Sequence, residues 1–544
     1  MATFPPPAGP VPVRVRRSRG TGAGAPPVFA VLLLLTAAGA GAAVEVPAAF
    51  RVLPHLSSPH RGSLNVTWYT TEPEPGRLIL TGPDGTREFE SVPEERPELT
   101  YSALEESERA RFPDMFANRA HRHRVFLDAL APDTVYRYTV EQDGDRYDNE
   151  FRTAPENPRK IRLCVFADSE TDPEGRTTQR AWPAGPQAEG STGRPEGTDR
   201  YLLTETDGFR RNLEIMAGRD PDLLLVAGDI VQGGGYQRAW DEFFFHLAGK
   251  FGDLMGRVPL VAAPGNWENF GARNGGYEPA AVASARRKFA AYFDGPDNGH
   301  GPHRNFYHRI DYGPVTVITL DSSNALPDGS DNDSNIHIDA SAYPGDDLVD
   351  AAPGARMWDW CLEQLADARA KGQVIFVQFH HIPYSGGTHS LPNSIPGSTG
   401  QAGWVMRAYT PWFQKHGVAA VFCGHNETFE WSSVGDVQFF DAGVGGDGLG
   451  TPIDGQDPRR ANPWRRWTAF YDEPEMWEGK RLVRGAIHYG HLEVDVEKVD
   501  GHWRVTYTPV HAFPLTGAEG GVTGSERREA AAPWSHFPGR PPSS

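Results

Sequence analysis

A chain of 544 residues is too long for one compact core, so two or three domains are expected, and 39% hydrophobic with 23% charged residues excludes a disordered or membrane-embedded class for its bulk. A formal net charge of −18 argues against a polynucleotide partner, because nonspecific binding to that backbone needs clustered Lys and Arg. Acidic excess also serves solubility alone.

In chain order, residues 1–43 read as a signal peptide, which implies a secreted or periplasmic protein. Arg14, Arg16, Arg17 and Arg19 precede an apolar run over 28–38 and then Ala40-Gly41-Ala42, the order of n-region, h-region and cleavage site. The run is too short to cross about 30 Å of hydrocarbon. The paired Arg16 and Arg17 allow a twin-arginine route. No integral membrane segment is expected after its removal. Cys164, Cys361 and Cys423 give no disulfide framework, so a large core must supply the stability.

Residues 44–157 show short alternating strands with turn signals, for example SLNVTWYT over 63–70 followed by PEPG and PDGT. This predicts an all-β sandwich. The segment VFLDALAPDTVYRYTVEQDGD from Val125 is expected to pair two strands around a Pro132-Asp133 turn. It resembles the L-x-P-x-T-x-Y-x-Y stretch of fibronectin type III domains, with its tyrosines as core residues.

From 158 to 515 the punctuation changes to strand then helix. The runs IRLCVFA, DLLLVAG, VPLVAAP, VTVITLD, VIFVQF and VAAVFC are apolar throughout, the mark of strands covered on both faces. Helical patterns lie at 236–247, 280–293 and 355–371, and strands return over 483–513. An α/β sandwich fits. Residues 516–544, rich in Gly, Pro and Ser, are expected to be a disordered tail.

Five of the apolar strands run into polar clusters: Asp168-Ser169-Glu170, Gly228-Asp229, Gly265-Asn266-Trp267-Glu268, His380-His381 and Gly424-His425-Asn426-Glu427. In open α/β sheets ligands collect at the carboxyl ends of strands. Singly, each cluster also fits a turn or a buried core histidine. Their order and placement carry the signal.

This set resembles the calcineurin-like metallophosphoesterase superfamily, whose pattern runs D-x-[H or other], GDxx, GN[HD], H and GHxH, and with a sandwich in front it resembles the purple acid phosphatase branch. The resemblance implies a four-layer metallophosphoesterase-type α/β sandwich with mixed sheets. It also implies a hydrolase of phosphomonoesters or phosphodiesters that uses metal-bound hydroxide at two divalent or trivalent ions, drawn from Fe, Mn or Zn. One metal would take Asp229 as the bridge, with Asn266, His380 and His425. The other would take Asp168 and Asp229, and here the sequence departs from the pattern. Gln232 stands where purple acid phosphatases place a tyrosinate, so their colour should be absent. Glu427 stands where GHxH supplies its second His, and Glu170 where many members carry a His. Carboxylates keep such a position competent and turn it toward oxygen-preferring ions such as Mn, Mg, Ca or iron. The alternative is that both glutamates form solvated turns.

Trp267 replaces the His of GNH and serves as a substrate platform or as packing. Leaving-group protonation then falls to His381 or His389, with Tyr384 as a further candidate. H-x-P spacing favours His381-Ile382-Pro383 as the ligand register, whereas distance from the strand favours His380. Glu268 and Glu430 are expected to support ligands. The insertion over 445–480, with Trp464, Trp467, Trp477 and four arginines, either caps the site or is surface loop. A different class of function also fits the departures, a secreted binding or adhesion protein that has lost turnover. A third reading makes the sandwich a carbohydrate binder.

Overall fold

The computed structural model describes residues 46–156, 160–175, 182, 194–198, 200–323, 356–391, 396–399, 401–472 and 475–538. The signal peptide read at 1–43 lies outside the described residues.

Two seven-stranded mixed sheets form the centre of the molecule. In the first, strands Ile161–Phe166, Leu223–Ala227 and Leu260–Ala263 run parallel, and Gly490–Val499 joins them antiparallel. In the second, Val315–Thr319, Val374–His381, Val418–Gly424 and Val437–Ala442 run parallel. Unbroken apolarity has a direct cause. Leu163, Val165, Leu223 and Leu225 face Val317, Phe376 and Phe422 between the sheets. Their neighbours Cys164, Phe166, Leu224 and Val226 face outward onto helices Glu205–Ala217 and Gln237–Leu247. Ile318, Ile375 and Val377 likewise meet helix Arg356–Ala370 on the other side. Helix, sheet, sheet and helix make four layers. All three cysteines are free and buried.

In front stand two four-stranded antiparallel sheets. Strand His121–Leu127 pairs with Ser63–Thr70, while Val135–Gln142 pairs with Gly76–Gly82 and Asp145–Arg152. The expected pairing around Pro132-Asp133 is therefore corrected, since the two strands belong to opposite sheets. Leu130 is buried and the Ala131 N–H donates to Tyr136 Oη at 2.9 Å, which turns the chain from one sheet to the other. Tyr136 and Tyr138 are core residues, as expected.

The expected disordered tail is also corrected. Strands Val522–Glu529 and Trp534–His536 extend the first sheet by pairing with His502–Thr516. Few large side chains are needed there. Backbone pairing, the Arg527–Glu493 ion pair at 2.9 Å and Trp534 stacked on Tyr507 hold the segment.

One apolar cluster runs through both the front sandwich and the helices of the first sheet. At its heart the Asp241 carboxylate, on helix Gln237–Leu247, accepts from Arg51 at 3.2 Å and from Tyr101 Oη at 2.5 Å. Arg51 and Asp241 side chains are 0% and 1% exposed, so neither charge has water to fall back on. This helix follows directly on the loop that carries Asp229. Asp241→Ala strands a buried guanidinium and is expected to destabilise the protein by about 3–5 kcal/mol in urea unfolding; unchanged stability would refute the interface assignment.

Candidate metal centre

The strand-end loops converge at the carboxyl edge of both sheets, and they do so through unusual backbone. Asp168 (φ 52°), Glu170 (φ 36°), Asp229 (φ 49°), His425 (φ 78°) and Glu427 (φ 51°) all occupy the left-handed region. Such strain persists only where the surroundings over-determine it. The adjacent glycines show how closely the loops approach. A Cβ on Gly424 would collide with the Asp168 carboxylate, and one on Gly265 with that of Asp229.

Three ligand groups result, in each of which the donor atoms lie within 4.8 Å of one another: Asp229, His380 and His425; Asp168, Glu170 and Asp229; and Glu170, Glu427 and Asp447. Asp229 is shared by the first two, and Glu170 by the last two. His380, not His381, stands with Asp229, its Nε2 being 2.8 Å from Oδ2. The His380 Nδ1–H donates to the Ala227 carbonyl at 3.0 Å, which leaves Nε2 toward the carboxylate.

Across the same site the His425 Nε2–H donates to the Gln401 carbonyl at 2.5 Å, so that Nδ1 points its lone pair at Asn266 Oδ1, 3.0 Å away. Two acceptors face each other there unless the amide turns, and a cation between them satisfies both. A site of carboxylates, an amide oxygen and two imidazoles fits a bound metal ion.

The electrostatics agree. Burial pushes the Asp168 and Asp229 carboxyls well above the carboxylate range, with neighbouring carboxylates adding to the shift at both. Burial lowers the His425 and His381 imidazoles, with the adjacent histidines adding to the shift. Both shifts disfavour charge, and a bound cation would favour ionised carboxylates here.

Supporting contacts are specific. Glu268, 0% exposed, accepts from the backbone N–H groups of Asp229, Ile230 and Gly265 at 3.1, 3.0 and 2.7 Å, and burial pushes its carboxyl up to about 7. The Trp267 N–H donates to Asp229 Oδ1 at 2.8 Å, while its half-buried indole packs edge-on against Phe270. The His425 N–H reaches both Asp168 oxygens at 3.1 Å. Gln232 Nε2 donates to Glu170 and, at 3.3 Å, to Asp447.

His381 packs 4.2 Å from the His425 ring with Nδ1 2.8 Å from Ser322 Oγ. His389 lies 4.4 Å from the His425 ring on the outer side, half-buried, with Nδ1 2.8 Å from Thr399 Oγ1. Tyr384 is directed elsewhere, its hydroxyl 3.0 Å from Thr410 Oγ1 and its ring against Phe439 and Trp464.

Glu430 does not touch the ligand groups. It accepts from Ser385, Gly386, Asn462 and Arg465, tying the loop after His381 to the 445–480 insertion. Arg459 and Arg460 of that insertion donate to the carbonyls of Pro396, Thr388 and Gly397. The insertion thus straps the segment that carries His389. Sequence reasoning missed Asp447 and Gln401. Asp447 sits in AGVGGDGLG, a glycine-rich loop whose place beside the clusters was the available signal; Gln401 acts through its backbone carbonyl and left none.

Residues 200–426 match the family model described as calcineurin-like phosphoesterase. No curated protein matches the chain. Among solved structures it is similar in fold to a purple acid phosphatase from yellow lupin (Lupinus luteus) seeds, at 14% identity over 88% of this chain and 74% of that one, with a TM-score of 0.54. Similarity also extends to the anchor of the inner membrane complex of Plasmodium, at 11% identity over 68% and 88% with a TM-score of 0.35. A phosphopantetheinyl hydrolase from Mycobacterium tuberculosis gives 15% identity over 57% and 96%, with a TM-score of 0.25.

Because burial raises the Asp168 and Asp229 carboxyls, a cation bound there competes with protons. Divalent-ion affinity is expected to rise with pH, with proton release seen by calorimetry in buffers of different ionisation enthalpy. Affinity independent of pH would contradict the raised carboxyls.

Proposed function

With residues 200–426 forming a calcineurin-like phosphoesterase domain, we propose that this chain is an exported, acid-phosphatase-like hydrolase of phosphate monoesters or diesters that works with two metal ions. The observation that carries this reading is the sharing of Asp229 between an imidazole-containing donor group and a carboxylate group. A bridging carboxylate is what two adjacent cations require. Cations bound there would supply charge to the phosphoryl oxygens and a nucleophilic water near neutral pH.

The chain's own residues do the rest. Glu268 and the Trp267 N–H fix the Asp229 turn and carboxylate, and Ala227 and Gln401 fix the tautomers of His380 and His425. His389 stands at the outer side with its pKa lowered to about 4, mainly by burial, so it is neutral at pH 7. An approaching phosphate dianion favours its protonated form, which makes it the group to carry a proton to the leaving oxygen. The Trp267 indole carries no such proton and packs edge-on against Phe270. Among the described residues no helix is long and apolar enough to cross a membrane, and a small phosphate ester is the proposed partner.

Purified protein supplied with Mn or Zn is expected to release nitrophenol from p-nitrophenyl phosphate and to stop in chelator. Asp229→Ala should abolish turnover, and His389→Ala should lower kcat by about 10²–10⁴-fold with metal content unchanged. A metal-replete protein inert to monoester and diester would sink the enzyme reading and favour a secreted binding protein.

A further inference from the structure

Of the four departures from the family pattern, three gather at one place and Trp267 is the exception. Gln232, Glu170 and Glu427 meet at one place, and Asp447 meets them there. Asp447 is 5% exposed and comes from a loop fastened to the site through its backbone. The Gly446 and Asp447 N–H groups donate to the Asp168 carbonyl at 3.1 and 2.8 Å, and the Gly450 N–H donates to the Glu427 carbonyl at 2.6 Å. The carboxylates of Glu170, Glu427 and Asp447 lie within 4.8 Å of one another, and Glu170 also belongs to the group of Asp168 and Asp229. This half of the centre is therefore continuous with the bridging carboxylate.

We propose that Asp447 is a metal ligand that, with Glu170 and Glu427, makes this half of the centre an oxygen-only position for a hard divalent cation such as Mn²⁺, Mg²⁺ or Ca²⁺. It stands beside an imidazole-containing position at Asp229, His380 and His425 suited to a borderline ion such as Zn²⁺.

The inference rests on the reading of the site as a two-metal centre. Its physical basis is donor chemistry. Carboxylate oxygens without nitrogen or sulfur favour hard ions, whereas imidazole favours Zn and its neighbours. Charge count agrees, since Glu170 and Glu427 stand where the family pattern has His, and Asp447 adds a further carboxylate. Gln232 completes the arrangement as a donor. Its amide holds one oxygen of Glu170 and one of Asp447, which orients both carboxylates as an outer hydrogen bond orients a ligand.

The test uses the full chain, stripped by chelator and dialysed against equimolar Mn²⁺ and Zn²⁺, with metal content read by elemental analysis and free Mn²⁺ by electron paramagnetic resonance. Wild type is expected to retain both metals. Asp447→Asn should weaken Mn²⁺ binding at least about tenfold and leave zinc content unchanged, and His380→Ala should lose zinc and keep manganese. Should Asp447→Asn fail to fold by circular dichroism, Glu427→Gln, at a half-exposed position, carries the same expectation. Wild type that takes up no Mn²⁺, a folded Asp447→Asn that binds Mn²⁺ as tightly as wild type, or loss of both metals together would overturn the proposal. Hydrolysis is scored separately: selective metal loading without turnover defeats only the enzyme reading, and turnover with Mn²⁺ binding indifferent to Asp447→Asn defeats only this one.

Discussion

Everything in this structure that bears on chemistry depends on carboxylates held together, all but Glu427 of them buried. Asp168, Glu170, Asp229, Glu427 and Asp447 are drawn from loops far apart in the chain, yet their donor groups overlap through Asp229 and Glu170. Left alone, such a cluster relieves its repulsion by taking up protons, and Asp168 and Asp229 are pushed in that direction. Positive charge from a ligand relieves it better. His380 Nε2 lies 2.8 Å from Asp229 Oδ2 and His425 Nδ1 3.0 Å from Asn266 Oδ1, contacts that a bound cation would also satisfy.

The scaffold meets that repulsion with rigidity. Five ligand-bearing residues sit in left-handed backbone, at about 1–3 kcal/mol each, beside glycines that no Cβ could replace without collision. The strain is offset by layers of apolar side chains on both faces of both sheets. The front sandwich contributes to the same end. Its Arg51 and Tyr101 grip Asp241 on the helix that leaves the Asp229 loop, so the sandwich braces that loop as well as covering apolar surface. On the opposite flank, arginines of the 445–480 insertion hold the carbonyls around His389.

The two ends of the candidate site differ in chemistry. One gathers Asn266, His380 and His425 around Asp229. At the other, Glu170 and Glu427, which stand where the resemblance expects imidazoles, meet a further carboxylate, Asp447, from a loop no motif includes. Gln232 donates to two of these carboxylates and so belongs to the same cluster.

Strand and helix placement was legible because both periodicities are strong. Six unbroken apolar runs became six strands, and three helical patterns became helices within a residue or two of their expected ends. The ordered list of strand-end motifs was legible because parallel strands deliver their carboxyl ends to one edge whatever the loops do. The sequence put His380 ahead of His381 as the ligand on its distance from the strand. Spacing allowed both, and only the Ala227 carbonyl, reached across the sheets, decided between them. It missed the crossing at Pro132-Asp133 and the strands beyond 516, where backbone pairing outweighs side-chain composition. Asp447 also escaped, since a lone aspartate among glycines acquires meaning only when its loop is pinned to Asp168 and Glu427. By itself, then, the sequence determined the layers, the motif order and the kinds of donor atom, all of which follow from local pattern. Which donors come within reach of one another, which histidine stands beside Asp229, and which loop brings the last carboxylate were decided by tertiary contacts, because those depend on distances between segments that no local spacing records.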